Sequence, residues 1–168
     1  MTQTSSHVDE PRINVADPVF GGVLKAMHGL EAPLQNSGIE PKLRELVKIR
    51  ASQLNGCAFC IDMHTKDARA QGETEQRIYA LNAWRETPFY TDRERAALEW
   101  AECLTLIAGH GVPDDLYARV RAQFSEEEIA KLTLAIVQIN GWNRISMSFR
   151  PVVGSYQPPK THDEASAA

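Results

Sequence analysis

Twice in the second half of this chain a hydroxyl residue is followed three places later by glutamate and then by an apolar run. Thr91-Asp92-Arg93-Glu94 is one case and Ser125-Glu126-Glu127-Glu128 is the other. Each is a capping box, in which the hydroxyl and the carboxylate satisfy two orphan backbone donors at a helix start. A chain punctuated this way commits its second half to helices. The first predicted helix runs from Thr91 to about Ala108, before Gly109 and Gly111. Pro113 opens a second, through Phe124. The third carries Ile129, Leu132, Leu134, Ile136, Val137 and Ile139 as core or subunit interface, with Gly141 as a possible bend and Pro151 as its end.

The first half reads the same way with weaker marks. Asp17-Pro18 resembles a helix start, although the glycines of VFGGVLKAMHGL dilute that helix. Asn36-Ser37-Gly38 is a break, and Pro41 opens a helix whose Leu43, Leu46, Val47 and Leu54 recur at core spacing. Asn55-Gly56 stops it. Another helix runs from near Cys57 to Gln71-Gly72, and Thr74 caps one reaching about Arg85, before Thr87-Pro88. No segment alternates as a strand would. The expectation is a single all-α domain of about seven helices over residues 17–150, with a polar, flexible arm at 1–16 and a polar, Pro-rich tail at 151–168 that is disordered or draped over a neighbour.

Chemistry concentrates in Glu45-Leu-Val-Lys-Ile-Arg-Ala-Ser-Gln-Leu-Asn-Gly-Cys57-Ala-Phe-Cys60-Ile-Asp-Met-His64. Cys57, Cys60 and His64 are spaced to share one helix face. Both thiols fall in the first turn, where unpaired N–H groups favour a thiolate, and the imidazole can accept a thiol proton. Two thiols at this spacing can condense to a disulfide after one is oxidised. Cys60, one turn from His64, is the expected base-activated thiol, with Cys57 as its disulfide partner. The reverse order stays open, because Cys57 lies nearer the helix start. Asp62 projects roughly 200° from Cys60 and points away. Glu45 sits among core positions of the preceding helix, and a carboxylate there needs a partner, for which His64 is a candidate.

Several of these residues also have plainer roles. A zinc site would have three ligands and nothing nearby to complete it, so no metal is expected. Cys103 is most simply a core residue, and Asn140, Trp142 and Asn143 of the last helix could line a pocket, although packing is their simpler role. His28 and His110 carry no assignment. With three cysteines among 168 residues and a net charge of −4, the chain suits neither a disulfide scaffold nor a nucleic-acid partner. The N-terminal MTQTSSHVDEPR lacks the apolar run of a secretory signal, and no stretch is long enough to span a membrane, so the expected location is the cytoplasm.

ELVKIRASQLNGCAFCIDMHTKDARAQG resembles the core motif of the alkylhydroperoxidase D-like family, within the carboxymuconolactone decarboxylase superfamily. Glu45, Cys57, Cys60, His64 and Gly72 match its pattern, and ERAALEWAECLT and EEEIAKLTLAIVQINGWNRISMSFR resemble its second half. The resemblance spans roughly residues 18–153. It implies an all-helical fold, a cysteine pair that reduces hydroperoxides without a cofactor, a Glu/His proton relay, re-reduction by a thiol or dithiol donor, and assembly into trimers or hexamers. Phe59 departs from the peroxidase type, which has a second histidine there. The decarboxylase branch generally lacks the cysteine pair. A general dithiol oxidoreductase, a redox sensor and a decarboxylase are the competing readings.

Overall fold

A computed structural model describes residues 10–14, 17–35 and 37–159. Eight α-helical segments follow in order: α1 (Gly21–Gly29), α2 (Ala32–Gln35), α3 (Pro41–Asn55), α4 (Ala58–Ala70), α5 (Glu75–Ala80), α6 (Asp92–Thr105), α7 (Asp114–Arg121) and α8 (Glu126–Phe149). The second is a single turn, which leaves seven longer helices. The described residues contain no strand. No helix among them is long and apolar enough to cross a membrane.

Both capping boxes form reciprocally. Thr91 Oγ1 accepts from the Glu94 N–H while the Glu94 carboxylate accepts from the Thr91 N–H, and Ser125 and Glu128 repeat the pattern. Asp17 caps a 3-10 turn, Pro18–Phe20, that leads into α1. Gly56 ends α3 at φ 72°, a left-handed conformation that costs a residue with a Cβ about 1–2 kcal/mol. Asn36, in the expected break before α3, lies outside the described residues. The expected helix over 74–85 is α-helical only to Ala80. Leu81–Glu86 continues as 3-10 with Ala83 at φ −115°, where Trp84 Nε1 donates to Glu102 Oε1 at 2.8 Å across the core. The next helix likewise ends at Thr105 rather than Ala108, and α7 at Arg121 rather than Phe124.

The interior is built around α3, which packs on α4, α6 and α8. One apolar cluster joins Leu43 and Val47 to Trp100, Val120, Leu132 and Ile136. A second joins Leu46 and Ile49 to Ala68, Leu81, Trp84 and Leu98. Leu54 is only partly buried, short of its expected core position, and Val137 is 55% exposed. Val137 faces out because α8 turns its Leu132–Ala135–Ile136–Ile139 side inward. Gly141 does not interrupt α8. A Cβ there would come within 2.9 Å of Met27 Cε, so this glycine serves the approach of α1. At the far end of α8, Phe149 O accepts from the N–H groups of Arg12 and Ile13. The described tail folds onto α4 of its own chain. Lys66 Nζ donates to Tyr156 O at 3.0 Å, and Tyr156 Oη donates to Asp67 Oδ1 at 2.7 Å.

Candidate active site

The α3–Gly56–α4 turn sets Cys57 at the N-cap of α4 and Cys60 and His64 on its inward side. Both cysteines are 1% exposed and sit with Ala51 and Ile139 under Phe59 and Trp142. They carry free thiols and hydrogen-bond to each other. Their surroundings separate them. Cys57 is lowered to about 7, first because the Cys60 S–H donates to it, and further by the Asn143 amide and the first-turn N–H groups of Phe59 and Cys60, against the cost of burial. Cys60 is pushed up, first by giving that hydrogen bond and then by burial beside a charged neighbour, despite contacts to Ser146 and Asn143. The proton of the pair is therefore held more loosely at Cys57 than at Cys60.

Glu45 and His64 meet across the α3–α4 contact. Glu45 Oε2 lies 2.7 Å from His64 Nδ1, and Lys48 Nζ lies 3.2 Å from Glu45 Oε1. Burial works to raise the Glu45 carboxyl, but the His64 hydrogen bond and the Lys48 charge outweigh it and hold the group below its ordinary range. An ionised carboxylate only accepts, so the proton between them sits on His64 Nδ1. Asp62 pairs with Lys66 at 2.9 Å and takes no part. Asp67 brings a second carboxylate within 4.8 Å of the Glu45 and His64 ligand atoms. These three residues are the described group that could together hold a cation, but Lys48 and the Tyr156 hydroxyl already occupy the two carboxylates.

Cys60 and His64 open onto one cavity of about 370 Å³, between α1, α4 and α8. Its walls are mostly apolar, among them Leu24, Phe59, Met63, Trp142 and Phe149. Its polar lining includes Glu31, Lys48 and Gln138, where Gln138 Nε2 donates to Glu31 Oε2 at 2.6 Å. Cys57 does not reach the cavity.

The four residues singled out from the sequence come together in this way. Several neighbours were not anticipated. Asn143 is fully buried and donates to Ser52 Oγ on α3 at 3.0 Å, and the Cys60 thiol lies 3.7 Å from Ser146 Oγ. His28, left unassigned, lines the cavity and packs on Trp142 at 5.2 Å between ring centroids. One signal was available: Asn140, Asn143 and Ser146 interrupt an apolar helix at intervals of three. Cys103 is buried as expected, its thiol 3.4 Å from Gly111 O.

The sequence profile of the Carboxymuconolactone decarboxylase family matches residues 20–102. The uncharacterised protein YdfG of Bacillus subtilis is 57% identical over 125 residues, which cover 74% of this chain and 85% of YdfG. YnjA of Escherichia coli, also uncharacterised, is 31% identical over 102 residues, 61% of this chain and 56% of its own. A solved protein of unknown function from Agrobacterium tumefaciens, ascribed to AhpD-type antioxidant defence, superposes with a TM-score of 0.80 at 47% identity, over 90% of this chain and 100% of that one. The debrominase Bmp8, solved in complex with 2,3,4-tribromopyrrole, shares the fold with a TM-score of 0.72 at 18% identity, over 80% of this chain and 72% of Bmp8. With the cysteine pair set in this helical frame, the chain belongs to the carboxymuconolactone decarboxylase superfamily, among its alkylhydroperoxidase D-like members.

Proposed function

We propose that this protein is a thiol-dependent peroxidase that reduces organic hydroperoxides through Cys60 and Cys57. The observation that carries the proposal is the shared cavity: Cys60 and His64 line it together, and Glu45 holds His64 from behind at 2.7 Å. A hydroperoxide with an apolar body fits walls of this kind. Cys60 attacks the terminal peroxide oxygen as His64 Nε2 takes its proton. The O–O bond breaks, Cys60 becomes a sulfenic acid, and the leaving alkoxide receives the proton from His64 as the alcohol. The Cys57 thiolate then attacks the Cys60 sulfur and expels hydroxide, which is protonated to water. Two electrons pass from the dithiol to the peroxide, and the pair ends as a disulfide. A thiol or dithiol donor returns it to the reduced state.

Exposed Val137 and Met147 on α8 suit burial against a second copy of the chain. The test of function is an assay with hydrogen peroxide, tert-butyl hydroperoxide and cumene hydroperoxide, run beside Cys60→Ser. Turnover that favours the organic peroxides and vanishes in the variant is expected. Turnover that survives Cys60→Ser removes the peroxidase assignment.

A further inference from the structure

The cavity beside Cys60 carries a charged end among its apolar walls. Glu31 comes to it from the turn between α1 and α2, Lys48 from α3 and Gln138 from α8. Gln138 is 2% exposed and stands on the inward side of α8 with Ala135, Ile136 and Ile139. A buried amide there needs a partner. Its Nε2 donates to Glu31 Oε2 at 2.6 Å, and since a carboxylate only accepts, that orientation is fixed. The other Glu31 oxygen lies 3.9 Å from Lys48 Nζ, an ion-pair distance too long for a hydrogen bond. Lys48 donates instead to Glu45 at 3.2 Å, and Glu45 meets His64 at 2.7 Å. A polar strip thus runs from His64, at the reacting end, to Glu31. Charge is unevenly shared along it. Glu31, Glu45 and Asp67 set three carboxylates against the one ammonium of Lys48. The other cations of α4, Lys66 and Arg69, are paired with Asp62 and Glu75. The imidazoles of His28 and His64 are the remaining titratable bases in the cavity wall.

We propose that Glu31, held at the cavity by Gln138, is a specificity-determining residue that admits neutral ligands and turns away those bearing a carboxylate. The inference rests on the cavity as the peroxide site and narrows its substrates: neutral alkyl and aryl hydroperoxides enter, and hydroperoxides of fatty-acid type, which carry an anion, are refused. An incoming carboxylate would meet Glu31 with no ammonium or guanidinium left to pair with it, because Lys48 already serves two carboxylates. It would also give up its hydration to apolar walls. A ligand with a hydroxyl or amide N–H can instead donate to the Glu31 oxygen that Gln138 leaves open.

The test is equilibrium binding of two ligands of one shape, 4-isopropylbenzamide and 4-isopropylbenzoate, at about pH 8, above the ordinary histidine range. Binding is followed by the indole Nε1–H NMR signal of Trp142, which lines the cavity. Trp84 and Trp100 donate elsewhere, to Glu102 and Thr133, and serve as internal references. Any apolar cavity favours the amide through desolvation, so the reading lies in how the ratio of the two dissociation constants changes on substitution. Glu31→Gln should move that ratio toward the benzoate by about fivefold, the upper end for a charge pair at a side chain 40% exposed. Damage to the cavity weakens both ligands together and leaves the ratio in place. Glu31→Ala gives the same reading should the glutamine variant not fold. A benzoate that binds the wild type as tightly as the amide overturns the proposal. So does a ratio unmoved in a folded Glu31 variant, or a Trp142 signal that answers to neither ligand. Thiol chemistry takes no part in this binding, so failure of the peroxidase assay would refute the proposed reaction and leave the ratio readable.

Discussion

Replacing Glu45 by glutamine tests the relay through its tautomer. The carboxylate spans two donors, His64 Nδ1 at 2.7 Å and Lys48 Nζ at 3.2 Å. Both of its oxygens accept. An amide has one oxygen and must choose. With the oxygen toward His64, its NH₂ faces the Lys48 ammonium, donor against donor, in a site where both side chains are about nine-tenths buried. A buried donor without a partner costs about 1–3 kcal/mol. The amide therefore turns its oxygen to Lys48 and its NH₂ to His64 Nδ1. Imidazole answers by carrying its proton on Nε2, the nitrogen needed as the base. The same 1–3 kcal/mol leaves the working tautomer in roughly one molecule in 5 to 150. Oxidation of the dithiol by cumene hydroperoxide should slow by about that factor, within the range general acid–base catalysis supplies. The assay is stopped-flow loss of free thiol in the reduced protein, which needs no electron donor, with a thermal melt to show that the variant is folded. Adding Lys48→Met removes the donor that forces the flip and should recover part of the rate. A folded Glu45→Gln protein that oxidises within twofold of wild type would falsify the relay, and a double variant no faster than the single one would refute the tautomer argument.

Three further outcomes follow from the same geometry. Brief peroxide treatment should place a sulfenic acid on Cys60 in Cys57→Ser and none on Cys57 in Cys60→Ser, by peptide mass spectrometry, and the opposite pattern reverses the order of attack. Cys57 is lowered from 9.0 to about 7 while Cys60 is raised, so between those values the folded reduced pair holds fewer protons than the unfolded pair. Its contribution to stability should rise from about pH 7 to about pH 9, be lost as pH falls through 7, and decline above 9, where the unfolded chain has released both protons and the folded pair only one. Denaturant titrations of reduced protein against Cys57→Ser/Cys60→Ser check this, and a difference that is flat with pH contradicts the shared-proton description. Gly141→Ala should gain up to about 1 kcal/mol of helix propensity in a Met27→Ala background and less in the wild type, where the added Cβ meets Met27 Cε at 2.9 Å. Equal gains in a double-mutant cycle would detach Gly141 from α1.

What could be read from the sequence was local. The two capping boxes, the Gly56 stop and the C–C–H spacing each depend on residues within about two turns of each other, and each appears in the fold as written. Glu45 could be paired with His64 because a carboxylate among core positions demands a partner and the next helix offered one. The 3-10 stretch over 81–86 was illegible because Trp84 answers to Glu102, on another helix, rather than to its own neighbours.

The same limit explains why the reverse order of the sulfurs stays open in the sequence. Helix periodicity places Cys60 nearer His64, and that favours Cys60 as the activated thiol. The polar neighbours of the pair on α8 stand more than 80 positions later, where Asn143 and Ser146 read as polar interruptions of a packing helix. Their effect exists only once α8 crosses the start of α4. The cavity then has Cys60 and His64 in its lining, with Cys57 set behind. In the proposed reaction a peroxide entering that cavity meets Cys60 first, and Cys57 closes the disulfide from behind. The segment from Glu45 to His64 carries the residues of that reaction, and the late helix walls the cavity in which it would run.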